Sequence, residues 1–136
     1  MTFTEGQTLP TQTYRVTRAD LVRYAEASGD LNPIHRDEEF ARSVGLPGVI
    51  AHGMFTMALA GRALTAWAGR SGAVVDFGVR FTKPVVVPAG DDGTEVVVGG
   101  VVRTIDGDRC QVELTVTSGG EKVLAQARAT LQPRLG

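Results

Sequence analysis

Residues 49–69 read VIAHGMFTMALAGRALTAWAG, and from Gly53 to Gly69 a single charge, Arg62, interrupts the apolar and small residues. The run falls short of the roughly 20 apolar residues that span a bilayer. It predicts instead a buried helix from Gly53 to Ala68. Apolar or small side chains occupy nearly every face, and a helix of that kind is expected to be covered on all sides. Ala58, Ala60, Gly61 and Ala63 are small enough to let a sheet approach closely.

The residues that follow supply that sheet. Val75, Phe77, Val79 and Phe81 alternate with Asp76, Gly78 and Arg80, and Cys110, Val112, Leu114 and Val116 alternate with Gln111, Glu113 and Thr115. After a turn at Gly119-Gly120, Val123, Ala125, Ala127, Ala129 and Leu131 repeat the pattern. A period of two marks strands with one face turned inward. Between them, TEVVVGGVVRTI (94–105) reads as a strand with a bulge or bend at Gly99-Gly100. Asp106-Gly107-Asp108 is the hairpin signal that joins it to the next strand.

Upstream of the long helix the pattern is helical and broken. Thr17 with Asp20 forms a capping box, and Leu21, Tyr24, Ala25 and Ser28 share a helical face. Gly29 is placed to end that helix in a left-handed conformation. Asn32-Pro33 signals a turn, and a short helix follows from about Asp37 to Val44, ended by Gly45. The order is therefore strand, helices, one long buried helix, then four antiparallel strands. A curved sheet wrapped around one apolar helix satisfies both patterns at once. This is the hot-dog arrangement, an α+β fold, expected as a single domain over residues 1–136. An edge strand and one helix flank would still need cover, which points to a dimer.

Composition narrows the function. The 136 residues carry a formal net charge of −1, with 43% hydrophobic and 21% charged residues and one cysteine, Cys110. These values suit a globular chain and offer no basic surface to nucleic acid or an anionic membrane. Neither an intramolecular disulfide nor a cysteine-based zinc site can form, and MTFTEGQTLP lacks the basic-then-apolar pattern of a secretion signal. A reducing, cytoplasmic setting is expected.

GDLNPIH (29–35) carries the chemistry. Spacing alone leaves two readings of it open. Asp30 and Asn32 are ordinary turn residues, and His35 can be a solvated loop residue. Alternatively, Asp30 and His35 work as an acid–base pair, since imidazole titrates near neutrality. Pro33 would then stiffen the connection, and Asn32 would fix the loop or a substrate oxygen. His52 reads as a cap or packing residue. Gly53, at the helix start, has a backbone N–H without an intrahelical acceptor, backed by the positive end of the helix dipole. That N–H can hold a carbonyl oxygen gaining charge; the bland alternative is an entry turn. Together these parts suit proton and water transfer across the α and β carbons of a thioester, with no nucleophilic side chain and no cofactor. Asp30, His35, Asp37 and His52 match no recurrent metal-ligand spacing, so no metal is expected. Gly-x-Ser-x-Gly, Gly-x-Gly-x-x-Gly and phosphate-loop motifs are absent.

YAEASGDLNPIHRDEEFARSVGLPGVIAHGMFTMAL (24–59), with VRFTKPVVVPAGD (79–91) after it, closely resembles the MaoC-like, or hydratase 2, family of hot-dog (R)-specific enoyl-thioester hydratases and dehydratases. Within it the chain most resembles catalytic B-type subunits of (3R)-hydroxyacyl-ACP dehydratases from actinobacterial type II fatty-acid synthesis. The resemblance implies that Asp30 and His35 are the catalytic dyad, that Asn32 supports it and that the Gly53 N–H polarises the thioester carbonyl. His52 joins the supporting group. The substrate would be an acyl-ACP or acyl-CoA thioester. The partner would be a related hot-dog subunit or a second copy of the chain. Two alternatives share the fold: a non-catalytic acyl-binding subunit of a hetero-oligomer, and an acyl thioesterase. Arg36, Arg42 and Lys83 are candidates for contacting the carrier.

Overall fold

The computed structural model describes residues 2–133. Strand β1 (Thr8–Val16) leads into helix α1 (Arg18–Ser28), a single 3₁₀ turn (Pro33–His35), helix α2 (Glu38–Ser43) and the long helix α3 (Gly53–Ala68). Strands β2 (Val74–Phe81), β3 (Thr94–Asp106), β4 (Arg109–Ser118) and β5 (Glu121–Leu131) complete it. The strands form one antiparallel sheet in the order β1-β3-β4-β5-β2. Helix α3 packs against β1, β2, β3 and β5, as the hot-dog reading requires.

Local chemistry explains the helix ends. Thr17 accepts from the Asp20 N–H while the Asp20 carboxylate accepts from the Thr17 N–H, so two donors with no intrahelical partner are satisfied reciprocally. Gly29 closes α1 at φ 80, a left-handed conformation that costs glycine little. The turn that brings Asp30 round toward His35 starts here.

On α3, Leu59, Ala60, Ala63, Leu64, Trp67 and Ala68 recur at helical spacing and are buried against the sheet. Within this chain the sheet covers α3 on one side, and the other is the flank expected to need a partner. Met54, Ala58, Arg62 and Ala66, each four residues from the last, form a stripe left exposed among the described residues.

In two strands the expected alternation holds over part of the length and breaks at bulges. In β2, Val74, Phe77 and Val79 pack on the core, whereas Val75 and Phe81 are exposed. The pairing with β5 slips between Val74 and Asp76, which flips the inward face. In β5, Gln126 at φ 49 is an extra residue against both neighbours, so Leu124 is buried and Ala125 only half-buried. Nor is the bulge at Gly99-Gly100. Those glycines pair regularly with Thr115 and Leu114, and the extra residue lies opposite them, between Leu9 and Gln12 of β1. Gly100 instead makes room for Trp67, whose ring lies 2.8 Å from where a Cβ would stand.

Candidate active site

Three segments converge at the start of α3. The first is the turn from Gly29 to His35, tightened by a chain of local bonds. The Asp30 N–H donates to Ser28 Oγ, the Asn32 N–H to Asp30 Oδ1 and the Ile34 N–H to Asn32 Oδ1, each at 3.2 Å. Asn32 therefore spends its side-chain oxygen holding the turn, the supporting one of its two expected roles. The second segment, 49–52, is pinned by the Ile50 N–H to Ile34 O (3.2 Å) and the Ala51 N–H to Val85 O (2.9 Å). The third is the first turn of α3 itself, entered through His52 and Gly53.

His35 is 8% exposed, and its Nδ1 lies 2.7 Å from the Ile50 carbonyl oxygen. A carbonyl only accepts, so Nδ1 carries the proton in the neutral ring and Nε2 holds a lone pair. Nε2 faces Asp30 Oδ2 at 3.9 Å, too far for a direct hydrogen bond and suited to one small bridging group. Burial pushes the His35 pKa below the ordinary imidazole value. The Ile50 bond and the Asp30 charge oppose that shift, and His52 adds to it. A neutral ring is a base that can accept a proton at neutral pH.

His52 occupies the N-cap position of α3, yet its side chain makes no capping bond. Its Nε2 donates to the Asp30 carbonyl oxygen at 3.1 Å, and its ring stacks on His35 with centroids 3.7 Å apart and planes 21° apart. The Tyr24 ring also contacts His52, with centroids 4.7 Å apart and planes tilted by 60°. Asp30, His35 and His52 each offer a ligand atom within 4.8 Å of the others. Stacked rings, however, send their lone pairs along nearly parallel planes, so one cation cannot lie in both planes at bonding distance. The geometry opposes a shared metal.

Gly53 opens α3, and its N–H has no carbonyl four residues back within the helix. Asp30, His52 and Gly53 line one cleft of about 310 Å³ together with Tyr24, Met54 and Phe81. His35 does not line it; it borders a smaller pocket with Asn32, and its Nε2 faces the carboxylate of Asp30, which does line the cleft. A second cavity of about 200 Å³, walled by Ile50, Thr56, Val85, Val123 and Leu124, also meets Gly53 and Phe81. The Phe81 ring lies 3.0 Å from where a Gly53 Cβ would stand. Of the basic residues, Lys83 pairs with Glu121 and Arg42 with Glu38, while Arg36 is exposed. Tyr24 and Phe81 are the site neighbours that sequence reasoning missed. Tyr24 read as part of a core-facing helix stripe and Phe81 as an inward strand residue.

A sheet wrapped around a helix whose start meets a carboxylate and an imidazole defines a hot-dog protein. Residues 2–122 match the family model described as MaoC like domain, and the chain belongs to that family. It is 45% identical over 80 residues to 3-hydroxyacyl-thioester dehydratase X of Mycobacterium tuberculosis, covering 59% of this chain and 28% of that protein. It is 32% identical over 110 residues to 3-hydroxybutyryl-CoA dehydratase of Methylorubrum extorquens, covering 80% and 68% of the two. Among solved structures, one titled MaoC-like dehydratase superposes with a TM-score of 0.92 at 39% identity, covering 96% of this chain and 40% of that one. The chain thus spans little more than a quarter of the mycobacterial relative.

Proposed function

We propose that the chain catalyses the reversible dehydration of (3R)-3-hydroxyacyl thioesters to trans-2-enoyl thioesters, carried by acyl carrier protein or coenzyme A, in fatty-acid elongation. The observation that carries this reading is the unprotonated Nε2 of a buried His35 facing the Asp30 carboxylate across 3.9 Å, beside the start of α3. The two named relatives act on 3-hydroxyacyl thioesters, which supports it.

In the hydration direction, a water fits between Asp30 Oδ2 and His35 Nε2. The pair takes one of its protons as the oxygen adds to C3 and returns a proton to C2, so the elements of water enter on one face. The π electrons of the C2–C3 double bond move toward the carbonyl, and the Gly53 N–H, aligned with the helix dipole, stabilises the charge on that oxygen. Dehydration runs the same steps backwards. His52 and Asn32 hold the loop, and no metal or cofactor enters a step.

The partner is a second copy or a related hot-dog subunit. Met54, Ala58 and Ala66 of the exposed stripe, and the exposed Val75 and Phe81 on edge strand β2, supply apolar surface for it. Among the described residues no helix is long and apolar enough to cross a membrane, and the setting proposed is cytoplasmic. The test is a crotonyl-CoA assay on the purified chain, alone and with candidate partners. Loss of enone absorbance without thiol release is expected. Thiol release would make it a thioesterase, and binding without turnover would make it an acyl-holding subunit.

A further inference from the structure

His52 does two things at once that its position in the sequence does not suggest. Its Nε2–H holds the main-chain carbonyl of Asp30, and its ring forms the floor on which His35 lies. It is 2% exposed, and its other nitrogen, Nδ1, is buried with no hydrogen-bond partner among the described residues. A buried polar atom without a partner costs stability, and a packing role would be filled as well by an apolar ring. The cost is offset by what the other nitrogen does. With Nε2 donating to a carbonyl, the tautomer is fixed, and any further proton on the ring would sit on an enclosed atom that faces no acceptor.

We propose that His52 is a positioning residue: a single-tautomer platform that sets the ring plane of His35 and the backbone of Asp30 together, so that the two halves of the pair share one anchor. The inference rests on Asp30 and His35 being the reacting pair and deepens that reading. Asp30 and His52 face the His35 ring directly; Tyr24 of α1 contacts His52, and Glu26 of α1 and Arg36 border the small pocket beside His35. Of these, His52 is the one stacked on His35. It adds to the burial that lowers the His35 pKa, while Asp30 and the Ile50 carbonyl raise it.

The chain has two histidines, so nitrogen-15 imidazole spectra resolve both without ambiguity. In the wild-type chain, opposite tautomers are expected, with the proton on Nε2 of His52 and on Nδ1 of His35. His52→Phe keeps a stacked ring and loses the donor, and His52→Gln keeps a donor and loses the ring. In His52→Phe the Asp30 carbonyl loses its donor, and the His35 titration midpoint is expected to shift from the wild-type value. In His52→Gln the single tautomer of His35 is expected to give way to exchange between two. In both, kcat falls at least tenfold while KM moves less than twofold. An unchanged midpoint and tautomer for His35 in both variants would overturn the inference. If both variants unfold, the wild-type spectra decide alone: His52 exchanging between tautomers would overturn it, and a fixed Nε2–H would uphold it. These spectra do not depend on turnover. A wild-type chain that hydrates nothing would sink the proposed reaction and leave the platform standing.

Discussion

Substituting Gly53 by alanine separates the chemistry from the fold. Gly53 is not among the residues with positive φ, so alanine fits the backbone there. The replacement trims the entropy of the unfolded chain and stabilises by about 0.4–1 kcal/mol. Against this, the new methyl stands 3.0, 3.2 and 3.4 Å from three atoms of the Phe81 ring. Phe81 is 52% exposed at the end of an edge strand, so the ring can swing outward without opening the core. An off-rotamer ring costs roughly 0.5–1.5 kcal/mol. The two effects nearly cancel, and Tm should stay within about 5 °C of wild type. Activity should not survive so well, because the methyl crowds the N–H proposed to meet the thioester carbonyl. Loss of a whole oxyanion donor costs about 10²–10³ in kcat. Crowding a retained donor should cost at least tenfold, about 1.4 kcal/mol. The assay is steady-state hydration of crotonyl-CoA beside a thermal melt of the same sample. A Gly53→Ala chain with kcat/KM within twofold of wild type and an unchanged melt would refute the placement of the carbonyl at Gly53.

The remaining expectations concern the frame around the site. Gly100→Ala should destabilise by about 1–3 kcal/mol, because its Cβ would stand 2.8 Å from the buried Trp67 ring, and a lowered urea midpoint checks it. Thr17→Ala should cost about 1 kcal/mol by breaking the capping box of α1, with Thr17→Ser restoring most of it in the same titration. The His35 pKa lies below 6.5 in the fold, so the unfolded chain binds the proton first. His35 therefore costs no stability above the ordinary value near 6.5, and stability falls as pH drops through that value toward the folded one. Urea titrations at a series of pH values should give that slope, and His35→Gln should flatten it.

Periodicity and punctuation made most of the architecture legible. The apolar run at Gly53–Ala68, the capping box at Thr17 and the glycine stops at Gly29 and Gly45 are local signals, and each element formed within a residue or two of its expected bounds. What stayed hidden depends on neighbours. The phase of β2 and β5 is reset by bulges whose existence shows only when a partner strand is laid alongside. The Gly99-Gly100 pair announced a special backbone, but the reason for Gly100 is the ring of Trp67, a residue more than thirty positions away. Small residues on α3 allowed a sheet to approach, but which residues form the open flank, Met54, Ala58, Arg62 and Ala66, shows only once the sheet is in place.

The site divides in the same way. Asp30, Asn32 and His35 lie in one short turn, so their kinship can be read from a line of sequence. His52 looked like a cap, because a histidine before a helix is ordinary and its stack on His35 crosses 17 positions. Tyr24 and Phe81 carried only the signature of core positions.

The reaction assigned to Asp30 and His35 is tested most directly by crotonyl-CoA hydration in the wild-type chain, Asp30→Asn and His35→Ala, each first shown to keep its thermal melt. Asparagine still accepts the Asn32 N–H that now bonds Asp30 Oδ1, so the turn survives its loss of charge. Hydration by the wild type, and a fall of about 10²–10⁴ in kcat for both variants, is the expected result. Wild-type rates in both variants, with the turn intact, would contradict it.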